Sequence, residues 1–528
     1  MSEKKQRRKG NLQPASSERA AALLPSSTAT MAFVGFEQST DELLGGLPEL
    51  SPEASFSFRR LLKKDPLTRE KALTELIETV SAADLSEKGL SDVMECYVRP
   101  YTKLSLDGSF KVRQSAQQFL AALAPRLGKK LAVFLQRIFP YWLMAQCDPY
   151  GEVAKVAREA FESVFKPEKR LLAFDFCKEQ VFKTLLGFAL CKELQTSTFK
   201  LTDAEETLEM RDARLVGSSL DALALVATAL AAPQSAADVA FLKSSWAELF
   251  GEAKFWKLAR HKSAMVRSKF YSFLSTFVQK SSALVEASAR RRFLESVSSA
   301  VLFGMDSSEG AVLSASWQCW LSALSTHQQE FVETVNVEKA LLSKTVGVLR
   351  RGVDLPRAVC HAFLPTLIAV AKADSTTGDF VCRFTRAMAQ GVQNSFDPSS
   401  NRARHCVKHD GFLDAFEECF VWSARHLVDR RQDETAGGMV DDSLSPLLRV
   451  VEEAKDELNA TLLRLGQRLL DVDASLSARL FAQVVSLSKA RLVDDSLTAS
   501  HTLELLVELV ESCAGRLDET LVDATSGI

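Results

Sequence analysis

The chain has no Cys-x-x-Cys pair, no apolar run long enough to cross a bilayer, and no marked excess of charge of either sign. Each absence excludes a class of function. Its ten cysteines are scattered from Cys96 to Cys513, so neither a zinc finger nor a dense disulfide framework is encoded, and reduced thiols serving mostly as core filler are expected. The most apolar stretch, residues 220–232, is short and contains Asp221, whereas a membrane span needs ~20 predominantly apolar residues. It reads as a buried helix, and no membrane partner is expected. Sixty-five basic side chains against 67 acidic ones leave a formal net charge of −2, so the whole molecule has no cationic field to gather nucleic acid. An RNA-binding solenoid is disfavoured on that ground unless a basic stripe lies on one face. With only 23 Gly and 15 Pro in 528 residues, the chain as a whole is not composed like a disordered one. A G-x-S-x-G elbow and a Walker loop are also missing.

What is present points to packed helices. Apolar residues make up 46% of the chain and charged residues 25%, and the length exceeds the size at which one compact core keeps growing, so several domains or one elongated array are expected. From Phe56 onward apolar residues recur at three- and four-residue steps: Phe58, Leu61 and Leu62, then Leu73, Leu76, Ile77 and Val80. That is the spacing of amphipathic helices, and Pro66 after Asp65 suits the start of the second. Further on, Asp107-Gly-Ser-Phe-Lys-Val112-Arg-Gln-Ser-Ala116 and Asp148-Pro-Tyr-Gly-Glu-Val153-Ala-Lys-Val-Ala157 echo each other at an offset of 41 residues.

In the first echo Val112, Ala116, Leu120 and Leu123 share one helical stripe; in the second Val153, Ala157, Phe161 and Val164 do. The template recurs at Val266, Phe270, Leu274 and Phe277, more loosely at Val312, Ser316, Trp320 and Ala323, and again at Val359, Phe363 and Leu367 behind Pro356. A period near 40 without strand signals belongs to stacked helix pairs of the HEAT and armadillo kind. The fold class expected is therefore all-α, an elongated HEAT/armadillo-like α-solenoid with a disordered N-terminal arm. A small residue at the second stripe position would let neighbouring helices approach closely. Asp107, Asp148 and Asp306 stand just before such helices, where a carboxylate can cap free N–H groups.

The organisation expected is a basic, largely disordered arm over 1–55, HEAT-like repeats over 56–430, a flexible loop or linker over 431–446 around Ala436-Gly437-Gly438, and further repeats over 447–528. About 470 residues beyond the arm hold roughly ten or eleven helix pairs at ~40–47 residues each. Other polar breaks are read at Leu201–Arg214 and Gly391–Gly411. The arm carries Lys4, Lys5, Arg7, Arg8 and Lys9, which suit phosphates or a partner protein, or serve only as a solubilising tail. No apolar signal-peptide core follows them, so a cytosolic protein is expected. Phe33 and Phe36 around Gly35 tilt the arm toward docking, because an apolar cluster in a polar tail has reason to be buried somewhere.

Catalytic candidates are few. His405, Cys406 and His409, with Cys419, form the one Cys/His cluster, but their spacing is not that of a finger, and loop and core roles are expected. Glu205, Glu206 and Glu209 lie in a hydrophilic run and read as a solvated face rather than an acid/base group. The Tyr141–Asp148 run and Phe255-Trp256 read as core between repeats. No catalytic, cofactor or metal residue is assigned to the chain, and a monomer is expected.

Particular residues resemble a known family. Lys9-Gly10-Asn11-Leu12, continuing through Pro14 to Arg19-Ala20-Ala21 and on to Phe33-Val-Gly35-Phe36, is similar to the N-terminal arm of the listerin family, the RING-type ubiquitin ligases of ribosome-associated quality control. Phe58-Arg-Arg-Leu61-Leu-Lys-Lys64-Asp65, the Tyr141–Asp148 run, and Lys254-Phe255-Trp256-Lys257 with His261-Lys262-Ser263 agree in order over residues 1 to about 280. The resemblance implies a HEAT-like rod that clasps a large ribosomal subunit carrying a stalled nascent chain. It implies an N-terminal part near the NEMF-type factor, with Asn11 among the arm's contact residues. It also implies a zinc-binding RING that recruits a charged ubiquitin-conjugating enzyme. A RING needs Cys and His ligands in Cys-x-x-Cys-type pairs, and this sequence has none. The chain is therefore expected to be inactive alone, as the N-terminal portion of a longer product or a RING-less paralogue. The rival expectation is a HEAT adaptor or transport scaffold without ligase activity.

Overall fold

The structure, a computed structural model, describes residues 52–82, 85–192, 206–233, 235–373, 377–396, 410–493, 504–509 and 511. Among these the chain is all-α, without a strand. It divides into two compact units, one built mainly from the first 164 residues and the other mainly from residue 165 onward. Each is a stack of helix pairs in the HEAT-like solenoid manner.

In the first unit α1 (Pro52–Arg60) pairs with α2 (Pro66–Ala82), α3 (Glu87–Leu104) with α4 (Phe110–Leu127), and α5 (Ala132–Gln146) with α6 (Gly151–Val164). Short connections make consecutive helices antiparallel, and the second helices α2, α4 and α6 stack in one row, α3 on α5 in another. The register read from sequence is the one observed, except that Val164, the last stripe position of α6, is only half-buried. Val112, Ala116, Leu120 and Leu123 are fully buried, as are Val153 and Ala157. The small second position has an added reason. It leaves the backbone carbonyl open on the packed face, where Tyr97 Oη donates to Ala116 O (2.7 Å) and Trp142 Nε1 to Ala157 O (3.0 Å). Each large ring thus buries its area while its one polar atom keeps a partner.

Asp107 is not the N-cap of α4. Ser109 is the N-cap of α4, and Asp107 lies two residues before it, accepting from the Ser109 N–H (3.0 Å) and from Arg69 Nη2 (2.9 Å). Both Arg69 and Asp107 are buried, their side chains 2% and 1% exposed. Arg69 Nη1 donates to the Lys63 and Lys64 carbonyls, and Arg113 Nη1 to those of Asp107 and Gly108. In α2 and α4 an arginine near the helix start therefore satisfies the preceding turn, and Arg69 also reaches the acid of the next repeat.

In the second unit α7 (Pro167–Ala189) pairs with α8 (Leu208–Ala229). Next come α9 (Ala236–Gly251), the single turn α10 (Ala253–Trp256) and the 3₁₀ turn Lys257–Arg260, which lead to α11 (Ala264–Ser281). Then α12 (Ala287–Gly304) pairs with α13 (Gly310–Val332). Beyond a π-helical turn at Val337–Leu342 follow α14 (Ser343–Leu349), α15 (Arg357–Cys360), α16 (Phe363–Ala373), α17 (Thr377–Phe396), α18 (Asp410–Asp429), α19 (Asp433–Leu448), α20 (Val451–Leu470) and α21 (Ala474–Val493). The rows are α8–α11–α13–α16–α18–α20 and α14–α17–α19–α21. Val266, Phe270, Leu274 and Phe277, then Val312, Ser316, Trp320 and Ala323, and then Val359, Phe363 and Leu367 are all buried on them. Arg267 repeats the role of Arg113, donating to the His261 and Lys262 carbonyls while its Nη2 reaches Glu309 (2.7 Å). Asp306 pairs with Lys344 instead of capping α13, whose N-cap is Glu309.

The breaks read from sequence carry helix where they are described. Residues 431–446 hold most of α19, not a flexible linker: Ala436, Met439, Val440 and Leu444 are buried. Gly437 misled because it serves packing, whereas a Cβ on Gly438 would meet nothing within 4 Å. A Cβ on Gly437 would come within 2.7 Å of the Arg479 guanidinium, which pairs with Asp441. At the 201–214 break α8 begins at Leu208, with Arg211 and Arg214 buried, and at 391–411 α17 continues to Phe396.

Candidate interaction groove

The arm residues Lys4, Lys5, Arg7, Arg8, Lys9, Asn11, Phe33, Gly35 and Phe36 lie outside the described residues, as do Glu205, His405, Cys406 and His409. Cys419 is buried in α18, and Glu209 is an exposed residue paired with Lys262. Among the described residues no group of three or more His, Cys, Asp and Glu side chains could hold a metal ion, and no helix is long and apolar enough to cross a membrane. No donor set among the described residues fits the zinc that a RING would require: Cys177, Cys319, Cys360 and Cys419 are buried. Burial pushes the Cys177 and Cys360 thiols up to about 12, far from the thiolate that zinc or a nucleophile needs.

A concave feature lies in the second unit, between the α9–α10 segment with its 3₁₀ turn and α12. Its local sequence explains it. Trp246 and Phe250 fall one helical turn apart near the end of α9, and Phe255 and Trp256 follow in α10. Trp246 and Phe255 are buried, whereas Phe250 and Trp256 are half-buried. Phe250 spans to Phe293 of α12 with ring centroids 4.8 Å apart and meets Phe277 of α11 at 4.7 Å. Trp256 Nε1 donates to the Phe250 carbonyl (2.8 Å), fixing the indole as a wall. The expectation that Phe255-Trp256 is core holds for Phe255 alone.

A cavity of about 590 Å³ opens beside this wall, lined by Trp256, Lys257, Arg260, Arg292, Ala300 and Phe303 among others. A smaller one of about 180 Å³ shares Phe250, Gly251, Trp256, Arg292 and Ser296 with it, so the two form one groove. Its floor is aromatic and its rim cationic. The carboxylates on the rim are committed: Glu286 to Lys243 (3.1 Å) and Glu295 to Arg291 (3.2 Å). Lys257, Arg260 and Arg292 are exposed and have no carboxylate partner among the described residues. The Arg260 guanidinium sits 4.7 Å over the ring of Phe303, itself 43% exposed. Sequence reasoning singled out the aromatics of Lys254-Phe255-Trp256-Lys257 but not the cations. The interleaved lysines, and the Arg290-Arg291-Arg292 run one helix later, were the available signal.

A stacked all-α repeat that carries an open, cation-rimmed aromatic groove belongs to the class of HEAT-like helical-repeat proteins. Sequence comparison narrows the class. Residues 50–370 match the family model described as the E3 ubiquitin-protein ligase listerin, N-terminal domain. E3 ubiquitin-protein ligase listerin of Gallus gallus is 31% identical over 463 residues, covering 85% of this chain and 25% of the relative; that of Mus musculus is 29% identical over 459 residues with the same coverages. The chain belongs to the listerin family. It spans about a quarter of the length of the curated relatives it matches. Among solved structures the karyopherin Kap121p aligns over 93% of this chain and 63% of that one at 10% identity, with a TM-score of 0.34, too low to bear on function.

Proposed function

We propose that this chain is the docking region of a listerin-like ubiquitin ligase that acts on stalled nascent chains held by the large ribosomal subunit. The observation that carries the reading is the match of residues 50–370 to the listerin N-terminal domain, with relatives similar over 85% of the chain. The physics of the role is tethering. A repeat array held on the particle that carries the nascent chain turns the meeting of ligase and substrate into an intramolecular event, with effective concentrations of about millimolar for well-matched spans. This region then supplies position and no nucleophile. Ubiquitin passes from a conjugating enzyme, recruited by a zinc-bearing RING, to a nascent-chain lysine, and a NEMF-type factor is the neighbouring partner in the cytosol. Within the region, the basic run Lys4–Lys9 and the Phe33–Phe36 cluster are the contact candidates.

The test deletes residues 2–40 from the endogenous gene and measures co-sedimentation of the product with stalled large subunits, together with nascent-chain ubiquitination. Both are expected to fall. If both stay at wild-type level, the arm has no part in docking; if a deletion of residues 2–370 also leaves both unchanged, the docking reading itself fails.

A further inference from the structure

We propose that the groove between the α9–α10 segment and α12 is a docking site for an acidic peptide segment of a partner protein, one apolar side chain flanked by carboxylates. The inference stands on the groove and does not depend on the ligase reading. Charge complementarity names the occupant. The chain as a whole carries a formal net charge of −2, yet the groove gathers Lys257, Arg260 and Arg292 while its two glutamates are neutralised by Lys243 and Arg291. Charges this close act within a Debye length of about 8 Å at physiological salt, so a short peptide feels the local excess rather than the net charge. Arg260 is held by a ring face and enters no ion pair among the described residues, which leaves its N–H donors for a carboxylate fork. The apolar side chain would enter the smaller cavity, against the packed cluster of Phe250, Trp256 and Phe293.

A single-stranded RNA fits less well. Bases need an open ring face, but the exposed ring of Phe303 is covered on one side by Arg260, and Trp256 is half-buried with its indole N–H committed. A long polyanion would also meet the net negative charge of the chain away from the groove.

The test uses the full chain and three fluorescein-labelled probes in anisotropy titrations: a peptide of Asp and Glu around a central Phe-Leu, the same peptide with Asn and Gln replacing the acids, and an oligouridine of equal charge. Saturable micromolar binding of the acidic peptide is expected, weakening with salt, with the amide peptide and the RNA binding at least about tenfold more weakly. The pair Lys257→Glu with Arg292→Glu is expected to weaken the acidic peptide by at least about tenfold. Both side chains are exposed, so an unchanged melting midpoint is expected alongside. If the pair fails to fold, Lys257→Ala and Phe303→Ala, each expected to weaken binding severalfold, decide instead. No saturable binding of the acidic peptide, or equal binding by the variants, overturns the proposal. Tighter binding of oligouridine, lost in the same variants, overturns it in favour of RNA.

Discussion

The seam between α2 and α4 and the groove beside α12 both carry arginines, and they use them in opposite ways. At the seam Arg69 is buried and its fork is spent on Asp107 and two backbone carbonyls. At the groove Arg260 and Arg292 stand exposed without a carboxylate partner among the described residues, and the acids beside them are taken by other cations. A buried guanidinium paired with an acid holds two repeats in register; an exposed one with no acid partner is left for something else to meet. Arginine content alone does not distinguish these roles. What distinguishes them is whether an acceptor lies within reach.

The contrast can be broken first at the buried pair. Asp107→Ala leaves the Arg69 charge without its partner in the interior and is expected to cost about 3–5 kcal/mol, read as a lowered urea midpoint. Combining Asp107→Leu with Arg69→Met should recover part of that loss, because the uncompensated charge goes while the Lys63 and Lys64 carbonyls lose their donor. A double variant no better than Asp107→Ala would show that the arginine acts through the carbonyls and not the acid.

Indole burial sharpens the comparison at similar cost. Trp142→Ala removes a fully buried ring and is expected to lose about 3–5 kcal/mol, whereas the half-buried Trp256 should lose clearly less when replaced by Ala. Equal losses from paired denaturation curves would mean that the groove wall is core after all. A smaller loss is expected at Gly304, where α12 passes α11 and α13. A Cβ there would sit 2.6 Å from Tyr271 Cζ and 2.8 Å from Ser316 Cβ. Gly304→Ala should therefore destabilise by about 1–3 kcal/mol through overpacking, visible as faster hydrogen exchange in α11 and α13, while Gly251→Ala, whose Cβ meets nothing within 4 Å, should leave those amides unchanged.

The smallest effect concerns pH. The hydrogen bond from Arg267, aided by Ser307, holds the Glu309 carboxyl below its ordinary range. Its folded pKa lies under its unfolded one, so its contribution to stability is present above the ordinary glutamate range and is lost as pH falls through the folded value. Glu309→Gln should flatten the acid limb of a stability-versus-pH curve slightly. A steeper limb in the variant would contradict the assignment of that ion pair.

Much of the fold was legible because each second helix buries one stripe. Val112, Val153 and Val266 occupy equivalent inward sites, as their spacing implied. The misreadings share one cause: a residue type was given its commonest local role where a neighbour in space had another use for it. Gly437 and Gly438 read as a loop until Arg479 is seen lying against the helix they occupy. Asp107 read as a cap until Arg69, from the preceding repeat, claims it.

The sequence by itself determined the helical period, the burial of the stripe and, through its motifs, the family, because these depend on residue order within one helix pair. Only the tertiary structure decided which cations are spent and which remain available. That depends on acceptors supplied by other helices, such as Asp107 for Arg69, which lie dozens of residues away and obey no local spacing.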